Sequence, residues 1–126
     1  PSKPRESRSS AGLPIFVGRS NRQNDRLTTR TAEKWDLWFH TQKIHGSHVI
    51  LSTSGEQPDA QSIAEAASLA AYFSQAQSST KVPVDFTQVK FVKKPAAAKP
   101  GMVVYTNYQT VLADPNEELV KHLLVK

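Results

Sequence analysis

Four arginines, at positions 19, 22, 26 and 30, are threaded through the polar run Asn21, Gln23, Asn24 and Asp25. Spaced by four, Arg22, Arg26 and Arg30 share one face of a helix. Guanidinium groups stay charged at physiological pH and match phosphate oxygens with paired donors. The three side-chain amides have donors and acceptors for base edges or 2′-hydroxyls. This is chemistry for a nucleic-acid backbone, and it makes Arg19, Asn21, Arg22, Gln23, Asn24, Arg26 and Arg30 the first candidate RNA contacts. Asp25 is the odd member, since a carboxylate repels phosphate; it orients an arginine or caps the helix. The same residues also fit a solvated helix face or a self-bonded turn, and charge spacing alone does not choose between them.

A second basic set comprises Lys81, Lys90, Lys93, Lys94 and Lys99. Pro95 and Pro100 restrict the connector that carries three of them and would hold these lysines out as a prong. For any single lysine, solubility is the simpler role. Tyr108, in a connection between strands, is placed to stack on an unpaired base, whereas Trp38 suits the core.

His40, His45 and His48 raise a metal site. Their spacing is not that of a zinc helix, and there is no cysteine to complete a thiolate set. No metal or other cofactor is expected; His40 and His48 instead bond backbone or RNA around Gly46. A hydrolase would need Ser47, with His48 or His40 as base and Asp36 or Asp85 behind it. No Gly-x-Ser-x-Gly elbow is present, and neighbours on an extended backbone point apart. Phosphate-loop and dinucleotide fingerprints are also missing. The chain therefore reads as a binding module without catalytic activity.

With 126 residues the chain can build one core. Its net charge of +5 is unevenly spread: residues 1–34 carry +5, 35–80 carry −3, 81–100 carry +4 and 101–126 carry −1. If the two basic blocks converge they form one positive surface. Lack of cysteine fits a reducing cytoplasm, and no apolar run approaches the ~20 residues that span a bilayer. Opening on Pro1, the chain reads as a domain excised from a longer protein.

The elements that must position these residues follow from periodicity. Residues 1–11 form a basic segment in which Arg5 to Arg8 can be the first arm of a hairpin. Leu13, Ile15 and Val17 share one side of the next strand, which Gly18 ends. A helix is expected from Asn21 to Thr31, anchored by Leu27. Trp35 to Phe39 reads as a strand with Trp35, Leu37 and Phe39 on one face and Trp38 on the other. A turn at 44–48 leads to Val49–Leu51. Ser62 to Gln77 is the strongest helix, with Ser62 and Glu65 at capping-box spacing and an alanine-rich stripe suited to close packing on a sheet. Val82, Val84 and Phe86 differ in parity from Val89 and Phe91, so a bulge or bend is needed near Thr87-Gln88. Pro83 suggests an edge strand. Met102–Asn107 and Thr110–Ala113 read as two joined strands, and residues 116–126 as a short helix. The expected fold is α+β, one domain with an antiparallel or mixed sheet, a core over 12–115, one long packing helix and short flanking helices.

Several segments together carry a resemblance. Phe16-Val17-Gly18-Arg19 precedes Asn21-Arg22-Gln23-Asn24-Asp25, and Asp36-Leu37-Trp38-Phe39-His40 precedes Gly46-Ser47-His48-Val49. Glu65-Ala66-Ala67, Ala70 to Ser74, Lys81 to Thr87, Lys93-Lys94-Pro95, Ala98 to Gly101 and Val104 to Asn107 follow in order. The chain resembles, over nearly its whole length, the C-terminal R domain of the NFACT, or fibronectin-binding-protein-like, family. His45 stands where the family usually has proline, and Phe86 where tyrosine is common. The resemblance implies a domain associated with tRNA and the large ribosomal subunit, in a ribosome-quality-control factor that supports template-free C-terminal tailing. It implies upstream NFACT domains, absent here, that carry much of that engagement. The family is also linked to fibronectin adhesion, for which the sequence offers no secretion route. The alternative is a structural or protein-interaction domain that docks on its own N-terminal domain or a ribosomal protein without touching RNA.

Overall fold

In the computed structural model, which describes residues 3–125, the alternating apolar positions of the first half form a sheet with two covered faces. Strands β1 (Arg5–Arg8), β2 (Pro14–Val17), β3 (Leu37–Thr41), β4 (Val49–Leu51), β5 (Val82–Gln88) and β8 (Gln109–Ala113) pair antiparallel throughout, in the order β1-β2-β4-β3-β5-β8. Strands β6 (Val92–Lys93) and β7 (Val104–Tyr105) form a separate small ribbon. The fold is α+β.

Period-two alternation divides the side chains between the faces. Ile15, Val17, Phe39, Val49, Leu51, Val84 and Phe86 point to one side, where α2 (Ala60–Tyr72) covers them with Ala66, Ala67, Leu69, Ala70 and Ala71. Helix α3 (Glu117–Leu123) completes this layer through Val120 and Leu123. Alanines let the helix backbone approach the sheet closely, which longer side chains would prevent. Trp38, Ile50 and Phe16 point the other way, where Leu27, Val89, Val103 and Tyr105 meet them.

Several local expectations change on folding. The cap of α2 is Asp59, whose carboxylate accepts from Ser62 N–H at 3.0 Å; the predicted cap, Ser62, is inside the helix and bonds Ser9. Glu65 is drawn to Ser10 instead of back to a cap. The helix stops at Tyr72, short of Gln77, because the 45–47 loop takes its end: Ser47 N–H donates to Phe73 O and Gln75 N–H to His45 O. Trp35 lies outside the strand and is 40% exposed, since Asp36 closes a turn on Glu33 N–H and Thr53 N–H. Pro83 lies in an interior strand. Its carbonyl accepts from Gln42 N–H beyond the last β3–β5 pair, so the donor that proline lacks is aimed past the end of β3. The parity change after β5 is made by a 3₁₀ turn at Val89–Phe91. Strands β7 and β8 do not pair: Asn107 turns the chain at a φ of +57°, and Thr87 Oγ1 holds Thr106 O and Asn107 O.

Candidate nucleic-acid interface

Ser20 caps α1 (Asn21–Arg26) by accepting from Gln23 N–H, and the chain then widens into a π-helical turn at Leu27–Thr31. There Ala32 N–H reaches back five residues to Leu27 O. Arg22 and Arg26 remain one α-turn apart and exposed. Arg30 is also exposed, but the wider turn displaces it from their row. The single arginine face expected over 22–30 is therefore shortened.

Asn24 is buried at 5% exposure, and its Oδ1 accepts from His48 N–H at 3.0 Å. Close approach here needs Gly18, because a Cβ at that position would lie 1.9 Å from Asn24 Oδ1. Gln23 turns back to accept from Arg19 N–H. Arg19 and Asn21 face solvent.

His48 is enclosed. Trp38 Nε1–H donates to its Nδ1 at 3.1 Å, and an indole nitrogen can only donate. Nδ1 is therefore the bare nitrogen, also 2.7 Å from the Thr28 hydroxyl, and Nε2–H donates to Gly101 O at 3.0 Å. Burial, followed by the nearby His40, pushes the His48 pKa down to about 4. The His40 ring lies flat on Trp38, centroids 5.8 Å apart, with its nitrogens facing Thr41 O and Gly46 O. Burial lowers its pKa as well. Tyr105 tilts against Trp38 at 4.7 Å and donates its hydroxyl to buried Asp85, which also accepts from Thr110 and Gln42. Burial and that carboxylate raise the phenol pKa. Tyr108 is half exposed and edge-on to Tyr105.

Asp25 takes neither of the roles expected for it: Ser20 is the cap, and the charged partner of Asp25 is a lysine. Its Oδ1 accepts from Gly101 N–H at 3.0 Å and pairs with Lys94 Nζ at 3.0 Å. The Gly101 hydrogen bond, ahead of the Lys94 charge, lowers the carboxyl pKa. Residues 94–103 are thereby strapped across α1 and do not stand out as a prong. Gly101 fits this crossing by adopting a φ of +83° beside Asn21 O.

The lysines disperse. Lys81 and Lys90 lie beyond opposite ends of β5, the first with its N–H on Asp114 and the second over the Phe91 ring. Lys93 belongs to β6, and Lys99 reaches the rim of a cavity of about 410 Å³ between strap and sheet. Asn21, Lys43 and His45 share that rim. A neighbouring hollow of about 320 Å³ shares Asn21 and His45 and adds Arg19 and Phe73. Arg5 sits 4.6 Å above the Phe73 ring, and burial followed by the charge of Arg19 lowers its pKa. Among the described residues, no carboxylate lines either hollow. Arg5, Lys43 and His45 were not among the sequence candidates for RNA contact. Arg5 was hidden in a predicted hairpin arm, His45 in the predicted 44–48 turn and Lys43 just before it; the fold sets Arg5 and His45 near Arg19, and Lys43 on the adjoining hollow.

The model of the NFACT protein RNA binding domain matches residues 3–107. The chain belongs to the NFACT RNA-binding-domain family. The Rqc2 homolog RqcH of Bacillus subtilis is 52% identical over 112 residues, covering 89% of the chain and 19% of that protein. The Streptococcus pneumoniae Rqc2 homolog RqcH is 45% identical over 106 residues, 84% of the chain and 19% of its own length. The chain thus spans about a fifth of these relatives. A solved structure, the C-terminal of the fibronectin/fibrinogen-binding protein from Streptococcus suis, superposes with a TM-score of 0.93 at 40% identity, covering 98% of this chain and 49% of that one. The NFACT match ends at residue 107, so β8 and α3 lie beyond it. Among the described residues, no helix is long and apolar enough to cross a membrane, and no three His, Asp or Glu side chains gather at metal-ligand spacing.

Proposed function

We propose that this domain binds RNA through the acid-free face that runs from Arg5 and Arg19 across Asn21 and His45 to Lys43 and Lys99. The observation that carries it is the pair of adjoining hollows that share Asn21 and His45, bordered by Arg19, Lys43 and Lys99 and, among the described residues, lined by no carboxylate. Such a surface attracts phosphate and repels little of it. Family membership points the same way. Arg22 and Arg26 extend the face along α1, whereas Asn24 and His48 support it from inside. In the longer protein, the RNA is tRNA and the large ribosomal subunit, and the cytoplasmic factor works in ribosome quality control. Template-free tailing belongs to the whole factor, with this domain as a non-catalytic grip. His48 cannot serve as a base while both its nitrogens are engaged. The test is tRNA titration of the domain by fluorescence anisotropy, with Arg19→Ala and Lys99→Ala variants. Each variant should weaken binding, and equal affinity in both would remove this face from the interface.

A second reading has its own observation. The outer edge of β1 is covered by the C-terminus, where Val125 N–H donates to Glu6 O, but β8 ends the sheet with Leu112 65% exposed. That edge suits docking on the upstream domains, and it lies on a different strand from the basic face.

A further inference from the structure

The cavity behind the rim has a chemistry that the basic face alone does not require. Trp38, His40, His48 and Tyr105 form its floor and Met102 part of its wall. Trp38 is covered at 1% exposure, but His40 and Tyr105 keep part of their surface open. The floor is aromatic and free of carboxylates among the described residues: burial lowers the pKa of both His48 and His40, and Asp85, outside the cavity lining, is taken up by three donors. The rim is cationic. Among the described residues, neither Lys43 nor Lys99 has a carboxylate partner. Elsewhere on the molecule, the cavities below α2 and beside Trp35 are lined by Asp114 and Glu56.

We propose that this cavity holds one unpaired nucleotide of single-stranded RNA, its base against His40 and Tyr105 and its phosphate between Lys43 and Lys99. The proposal rests on the RNA-binding reading and names what part of the RNA the site takes. An aromatic floor favours the flat face of a base, and stacking tolerates any base identity. Asn21 at the rim offers an amide to the base edge. At about 410 Å³ the space suits a small ligand and excludes a duplex, whose base faces are already stacked.

Met102 is the only methionine in the sequence and is 61% exposed on the cavity wall, so its isotope-labelled methyl gives a single NMR resonance there. The domain is titrated with a short single-stranded RNA, with a duplex of the same length and with nucleoside monophosphates. The single strand should shift the methyl by ring current and saturate with its binding curve. The duplex should bind through the rim without that shift. A Lys43→Ala, Lys99→Ala double variant should lose roughly tenfold in single-strand affinity. Arg26→Ala should weaken both RNAs and leave the shift at saturation unchanged. Single-stranded RNA that binds while the methyl stays still would overturn the pocket and leave the basic face standing. An equal shift from the duplex would overturn it too. Saturation by a monophosphate at lower concentration than RNA would reassign the cavity to a free nucleotide. If neither RNA binds, the RNA-binding reading falls and this proposal with it.

Discussion

The His48 ring accepts from Trp38 and donates to Gly101, and the His48 backbone N–H donates to Asn24, so one residue at the head of β4 ties α1, β3 and the strap together. Its pKa near 4 makes stability depend on pH. A histidine whose pKa is lower when folded is protonated first in the unfolded chain. Stability is then full above the unfolded value of about 6.5 and falls as pH drops towards 4. The loss attributable to His48 is ~3 kcal/mol, and His40, shifted in the same direction, adds to it. Asp25 opposes the shift and His40 reinforces it. Urea unfolding across this range should show the slope, and His48→Gln should flatten it; a parent protein equally stable at both ends would mean the ring is not held neutral. Asn24→Ala leaves the buried His48 N–H without its acceptor and should cost ~1–3 kcal/mol by the same measurement. A change within about 0.5 kcal/mol would place Asn24 among surface residues.

At the scale of elements, α2 and the α1–π segment illustrate two ways of meeting the sheet. Ala70 is 1% exposed in the stripe packed on the sheet, whereas Ala67 borders the cavity below α2. Ala70→Leu should destabilise by ~1–3 kcal/mol through overpacking, read from the urea midpoint at unchanged slope. The stripe and its partners could be read from the 3.6-residue period, but the cap could not. Asp59 and Ser62 both have capping chemistry, and Ser62 is taken into the helix because Ser9 meets its hydroxyl. The π turn was likewise invisible: it brings Thr28 to 3% exposure against His48, and no propensity encodes that tertiary hydrogen bond.

Across the whole molecule, the strap joins the two basic blocks. Asp25→Ala removes the acceptor of Gly101 N–H and the partner of Lys94. Hydrogen exchange at Gly101 should then speed up while the amides of β3–β5 keep their protection. Protection retained at Gly101 would show that His48 holds the strap unaided. Binding of tRNA should weaken with salt, and Arg26→Ala should reduce the slope of log K against log salt by about 0.7–0.9. An unchanged slope would take Arg26 off the phosphate path while leaving Arg19 and Lys99 to be judged separately.

The α+β class, the two-faced strands, the long alanine helix and the family were legible in the residue order, because periodicity and ordered motifs are local properties of a chain. It also supplied the arginines and lysines. Only the tertiary structure decided which of them share a surface. Lys81 and Lys90 are separated by a strand, whereas Arg19, Lys43 and Lys99 line two adjoining hollows, with Arg5 over Phe73 beside them, despite lying far apart in sequence. The physical reason is that strand order is set by which apolar faces pack together. Surface charges contribute little to that choice and are carried to wherever the core places them.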